Sequence, residues 1–318
     1  MKEIGGFLEC ELFNGKEYYE DSIAFNTATN ALKYIILAKH ITKIYIPFYL
    51  CDSVSLMLAR EKIAFDYYHI DANFMPIFDT HLNNDEFLYV VNYYGQIDEK
   101  TITKMKLSFK NIIVDNVQAF FEKPIVGIDT IYSCRKFFGV PDGSYVYTNS
   151  VLNADIEIDN TSCERVRHLF GRIDKNAHDY YSVFKQNEDY LKSAPLRKMS
   201  KTTHNFLKKI DYQTAKKTRE ENYSALDKKL RTLNGLSFRF PVGPYVYPFY
   251  CKNGLKVRKS LAKKGIYIPI LWPNVLDIGN ETERDYTENI LPVPCDQRYC
   301  KKDMEFLAQA IIDEIISK

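Results

Sequence analysis

The chain has 318 residues, 46% hydrophobic and 14% aromatic, enough to bury a sizeable core as one large domain or two joined ones. Its 43 Lys and Arg against 41 Asp and Glu leave a formal net charge of +2, which argues against a nucleic-acid partner but leaves room for a local basic pocket. No stretch approaches the roughly 18 apolar residues of a membrane span, and the seven cysteines form no CxxC pair.

Two further exclusions follow from the same inventory. Met1-Lys2-Glu3-Ile4-Gly5-Gly6 carries no apolar run behind a basic start, so no signal peptide is expected. Six histidines fall outside metal-ligand spacing. Reduced thiols, no metal and a cytosolic protein without membrane attachment are the expectation.

Elements alternate along the first 150 residues. Residues 30–39 read as a helix with Ala31, Leu32, Ile35, Ile36 and Ala38 on one side. KIYIP (43–47) reads as a buried strand, and residues 52–60 as a helix opened by an Asp/Ser cap. Strands follow at 63–70, 86–92, 111–115, 128–133 and 145–148, with a helix at 99–107. This alternation predicts an α/β domain with a mostly parallel sheet.

The later residues differ. Residues 163–192 are polar, aromatic and helical in pattern, and 202–230 form one long charged helical pattern. A strand at 245–250, a helix at 253–264 ending at Gly265, a strand at 266–271 and a helix at 302–317 complete a smaller α+β unit. The predicted division is a large unit over 1–200 and a linking helix with a small unit over 201–318.

Four segments carry chemical potential, each beside a plainer reading. Asp115-Asn116-Val117-Gln118 follows a strand, where an acid can meet a cationic ring nitrogen or a metal, or can simply cap a turn. Lys136 lies in SCRKFFGVPDGS, between a strand and a Gly/Pro-punctuated hairpin and beside two Phe. An amine lodged in apolar surroundings can form a Schiff base, or it is one more surface lysine. Thr27-Ala28-Thr29-Asn30 opens the first helix and suits a phosphate, or merely caps it. Arg219-Glu220-Glu221-Asn222-Tyr223 reads as a solvated charged face. In order, the first three supply what pyridoxal 5′-phosphate requires: an anion site, an acid and a lysine.

The sequence resembles the DegT/DnrJ/EryC1/StrS family, the pyridoxal-phosphate-dependent sugar aminotransferases of fold type I. TATNAL (27–32), IPFYLCDSV (46–54), VDNVQAF (114–120), SCRKFFGVPDGS (133–144), KMS with the helix through REENYSAL (219–226), KKGIYIPILWP (263–273) and LPVPCDQRY (291–299) carry the likeness. It implies the aspartate-aminotransferase-like fold: a large, mostly parallel mixed sheet with helices on both faces, and a smaller α+β C-terminal domain.

The same resemblance implies roles. Lys136 would form the Schiff base and shuttle the proton, Asp115 would pair with the pyridinium nitrogen, and Gln118 would bond near the ring's phenolic oxygen. Ser133, Ala28 and Thr29 would hold the phosphate. Cys51 stands where many members have a stacking aromatic, which leaves Tyr49 or Tyr93 for that part. Arg197 and Lys198 are the nearest candidates for reaching a partner's phosphate. The implied activity is transfer of an amino group from an amino acid, glutamate by expectation, to a nucleotide-linked keto-sugar in amino-sugar and surface-polysaccharide synthesis. The implied assembly is a homodimer with a shared site. A non-catalytic scaffold or regulator on the same fold, and a sugar dehydratase, are the alternatives; Lys136 speaks against the dehydratase, whose relative carries histidine there.

Overall fold

A computed structural model describes residues 4–316, so Met1, Lys2, Glu3, Ser317 and Lys318 lie outside the described residues. The chain enters the main sheet through β1 (Ile23–Phe25) and turns at once into α1 (Ala28–Ala38). Thr27 stops the strand and starts the helix: its hydroxyl accepts the Asn30 amide at 3.0 Å, a cap worth about 1 kcal/mol. Then follow β2 (Lys43–Pro47), α2 (Asp52–Arg60), β3 (Ala64–Ile70), β4 (Pro76–Ile77), β5 (Glu86–Val91), α3 (Glu99–Phe109), β6 (Ile112–Asp115), β7 (Asp129–Ser133) and β8 (Ser144–Tyr147). Cys51 rather than Asp52 or Ser53 takes the N-cap position of α2, without a side-chain hydrogen bond.

The eight strands lie in the order β1-β8-β7-β6-β5-β2-β3-β4. From β7 to β3 the neighbours are parallel, and the outer pairs β1–β8, β8–β7 and β3–β4 are antiparallel. β1 therefore points the same way as β6 and β7. All four residues of β6 are buried, as strands covered on both faces require.

Beyond the sheet come α4 (Arg167–Asp174), α5 (Tyr181–Lys192), α6 (Lys201–Lys208) and α7 (Tyr212–Leu230). The pattern expected as one helix over 202–230 is broken, because the Asp211 carboxylate accepts the Thr214 amide and starts α7 afresh. The expected charged face on α7 also needs correction. Arg219, Asn222 and Tyr223 are buried at helical spacing with Ala215, Leu226 and Leu230, while Glu221 faces solvent.

The small unit holds β9 (Val246–Tyr250), α8 (Gly254–Lys263), α9 (Val275–Ile278), α10 (Glu281–Asn289), β10 (Ile290–Pro294) and α11 (Lys301–Ile316). β9 and β10 pair antiparallel, and α7, α8 and α11 pack around them through Leu226, Leu261 and Ile311. The strand expected at 266–271 is absent. Pro269 interrupts that run and cannot donate to a ladder, and Tyr267 and Ile270 are exposed.

Candidate active site

Parallel strands gather the expected residues along one edge of the sheet, the edge where open α/β sheets receive ligands. Asp115 closes β6 opposite Ile131, and Ser133 closes β7 opposite Ser144, which in turn faces Phe25 on β1. The Ser144 hydroxyl lies 2.8 Å from the Thr27 carbonyl oxygen and 3.2 Å from that of Phe25, which fixes the start of α1 to the sheet. Ala28 and Thr29 occupy the first turn, half-buried. Their amides have no acceptor within the helix. The Asn30 side chain holds this turn to the Pro195 carbonyl at 2.8 Å.

Asp115 is buried, and its two oxygens accept from the Tyr89 hydroxyl at 2.7 Å and the Val117 amide at 2.8 Å. Burial pushes its carboxyl up to about 6, against the downward pull of those bonds and of the Lys136 charge. Gln118 is buried too, and its carbonyl oxygen accepts the Tyr94 amide at 2.9 Å.

Lys136 lies in a tight turn after β7. The Phe137 and Phe138 amides both reach the Cys134 carbonyl, and the Cys134 amide reaches Gly143. Phe137 and Phe138 turn into an aromatic cluster with Phe120 and Phe121. Lys136 points the other way. The sequence expectation of an amine lodged among apolar groups is corrected here: the side chain is exposed, with its Nζ 5.5 Å from the Tyr245 ring centroid. The core takes the two flanking rings and leaves the lysine outside.

Arg219 was missed by sequence reasoning. Only 2% exposed, it donates to the carbonyls of Phe137 at 3.0 Å, Pro244 at 2.9 Å and Tyr245 at 3.3 Å. Gln297 donates to the same Phe137 carbonyl at 2.8 Å. The turn bearing Lys136 is thus gripped from α7 and from the small unit. No local pattern announces this, since Arg219 sits in a run of charged residues.

Tyr49 and Tyr93 are both packed into the core. Each is 1% exposed; the Tyr93 hydroxyl donates to the Tyr49 carbonyl at 2.6 Å, and Tyr49 meets Trp272 edge-on at 4.7 Å. Neither keeps a free face, because the core uses both. Arg197 pairs with Glu157 at 3.6 Å, and Lys198 lies against Phe25 in a backbone bridge. Among the described residues no group of three His, Cys, Asp or Glu could hold a metal ion, and no helix is long and apolar enough to cross a membrane.

The donor set fits pyridoxal phosphate at three points. Asp115 is a buried carboxylate without a cation in ion-pair contact among the described residues, and each oxygen keeps a second lone pair for a ring N–H. Lys136 forms no ion pair among the described residues, so its amine is available. The first turn of α1 offers amides to a phosphate on the same sheet edge.

No protein-family model matches the chain, and no curated protein matches it. Solved structures do. A DegT DnrJ EryC1 StrS aminotransferase from Brucella abortus aligns over 92% of this chain and 86% of its own, with a TM-score of 0.61 at 12% identity. PseC of Helicobacter pylori, an aminotransferase of pseudoaminic acid biosynthesis, aligns over 93% and 87% with a TM-score of 0.59 at 15% identity. NtdA of Bacillus subtilis, solved with bound cofactor PMP, aligns over 93% and 73% with a TM-score of 0.64 at 13% identity. The chain has the fold-type-I fold of these aminotransferases.

Proposed function

We propose that the protein is a pyridoxal-phosphate-dependent aminotransferase that moves an amino group from an amino acid, glutamate first among candidates, to a keto-sugar linked to a nucleotide. The observation that carries this is the buried Asp115 carboxylate within electrostatic reach of Lys136, at the strand ends of a fold shared with sugar aminotransferases. The PMP bound to the similar NtdA supports the cofactor.

When bound, the cofactor supplies an electron sink next to the carbon that exchanges its amino group. Asp115 holds negative charge opposite the ring nitrogen, and its burial strengthens that interaction by excluding water. Tyr89 and the Val117 amide fix the carboxylate's orientation. Gln118 lies on the same edge. Lys136, without an ion-pair partner among the described residues and carried on a turn that Arg219 grips, accepts a proton at Nζ and returns it at the reacting carbon. Ser133, Ala28 and Thr29 supply donors for the phosphate. By the same reading two copies share the site, which a native mass of twice the chain would support and a monomeric mass would oppose.

The test is turnover. Protein incubated with glutamate and a panel of nucleotide keto-sugars should produce 2-oxoglutarate over many turnovers with one panel member, and no more than one equivalent per site without sugar. Absence of cofactor binding together with absence of turnover would favour a non-catalytic scaffold. The specific observation on that side is that Tyr49 and Tyr93 are each 1% exposed in the core, while the resemblance puts Cys51 where many members carry a stacking aromatic.

A further inference from the structure

The turn after β5 holds a bulky residue in a conformation that suits glycine or asparagine. Tyr94 has φ +54° and ψ +17°, Gly95 follows at φ +69°, and the Gln96 amide closes on the Tyr93 carbonyl at 2.9 Å. Two left-handed residues in succession inside such a closure are the place of Asn-Gly or Gly-Gly, because the Cβ of other residues crowds the following carbonyl. Tyr94 is nevertheless only 1% exposed and held on several sides. Phe74 and Phe238 meet its ring edge-on at 5.8 and 6.1 Å between centroids. Its hydroxyl interacts with that of Tyr49 and lies within electrostatic reach of Arg258 on α8. Packing of the ring keeps the strained backbone in place.

What the strained turn delivers is one amide. The Tyr94 N–H donates to Gln118 Oε1 at 2.9 Å, across 24 residues of chain. A peptide N–H can only donate, so the Gln118 side chain presents its oxygen to Tyr94 and its Nε2 the other way. Gln118 is 2% exposed, and its Nε2 hydrogens meet no acceptor among the described residues. The turn is also tied to the segment that carries Asp115. The Asn92 amide donates to the Asp115 carbonyl at 3.0 Å, and Asn92 Nδ2 donates to Asn116 Oδ1 at 3.0 Å. The open Nε2 donor is therefore set in a fixed relation to the buried carboxylate.

We propose that Tyr94 is a positioning residue: its left-handed backbone fixes the polarity of the Gln118 amide, so that a donor and never an acceptor faces the cofactor's ring oxygen. The assignment rests on the amino-transfer reading above. A donor there favours the form in which that oxygen holds more negative charge, so the bound cofactor gives up its proton at a lower pH.

The test compares Tyr94→Gly with Tyr94→Ala in the full chain. Both lose the ring, but only glycine takes positive φ without strain, so the pair separates backbone from packing. Without cofactor, hydrogen exchange of the segment 92–97 reads the hold on Gln118. Tyr94→Ala should lose roughly five- to thirtyfold more protection than Tyr94→Gly, the left-handed penalty of about 1–2 kcal/mol expressed as a ratio. With pyridoxal phosphate bound, the pH at which the yellow colour is lost reads the donor. Gln118→Leu should raise that pH by about one unit, the scale of one hydrogen bond to a charged oxygen. Tyr94→Ala should raise it in the same direction, and Tyr94→Gly should stay with the parent. Two variants that keep the Tyr94 ring guard against failure to fold. Gln118→Glu still accepts the Tyr94 amide and should keep the protection of 92–97, while it raises the colour change further than Gln118→Leu, which should lose that protection. Equal protection and equal colour in Tyr94→Ala and Tyr94→Gly, or protection indifferent to Gln118→Leu, would overturn the assignment. A parent that binds no cofactor would sink the amino-transfer reading and the cofactor-facing half of this one, and the exchange ratios alone would then decide whether Tyr94 holds Gln118. Amino transfer by the parent, with Tyr94→Ala and Tyr94→Gly alike in exchange and colour, would sink the role of Tyr94 and leave that reading standing.

Discussion

Tyr89 on β5 and Asp115 on β6 stand diagonally across neighbouring strands, with the phenol donating to the carboxylate at 2.7 Å. The pair places a carboxylate inside the protein with only neutral hydrogen-bond donors against it among the described residues. Its carboxyl titrates near 6 in the fold and 3.8 in the reference state, so ionisation opposes folding. The penalty is absent below about pH 4, grows between the two values and is complete above about pH 6. Two units at about 1.36 kcal/mol each set its scale near 3 kcal/mol. Asp115→Asn should therefore melt higher than the parent at pH 7 without cofactor, and the gain should vanish at pH 4. A difference that does not change with pH would refute this. Adding pyridoxal phosphate should stabilise the parent more than the variant.

Arg219 should act as a positioning residue for Lys136. Arg219→Lys cannot keep the fork across the Phe137, Pro244 and Tyr245 carbonyls, and leaving buried carbonyls unmet should cost about 2–3 kcal/mol by urea unfolding. In the folded variant, the yield of borohydride-trapped cofactor should also fall. A loss of stability with unchanged trapping would assign Arg219 to the core alone.

Gly143 closes the lysine turn with φ +120°, and an added Cβ would lie 3.0 Å from Thr203 Cγ2 and 3.3 Å from Cys134 Cβ. Gly127 also has positive φ, at +81°, but open space around it. Gly143→Ala should cost about 1–3 kcal/mol and exceed Gly127→Ala, since it adds crowding to backbone strain. Equal urea midpoints for the two variants would contradict the crowding argument.

Much of the large unit was legible in the sequence because its strands are buried on both faces and show as apolar runs. NIIVD could hardly be anything but a central strand, and it delivers Asp115 to the sheet edge. β10 was hidden because ILPVP carries two prolines and becomes a strand only through pairing with β9, some 40 residues earlier. α10, whose sequence ETERDYTEN shows little apolar periodicity, depends on the Asn280–Glu283 capping box. The site divides in the same way. Asp115, Gln118, Ser133 and Lys136 lie in short segments tied to strands, so they were readable. Arg219 and Gln297 were not, because three distant stretches of chain meet there. Lys136's exposure was missed because its two Phe neighbours suggest an apolar pocket, and only the fold shows that they face away from it.

The central claim is that Lys136 is the residue that carries the cofactor, and one measurement addresses it directly. Full-length protein mixed with pyridoxal phosphate should turn yellow, and after borohydride reduction a single cofactor mass should appear on the peptide containing Lys136. Lys136→Ala should remain unlabelled while keeping the parent's circular dichroism. Labelling of Lys136→Ala at the parent's yield, or a label on another lysine, would contradict the account.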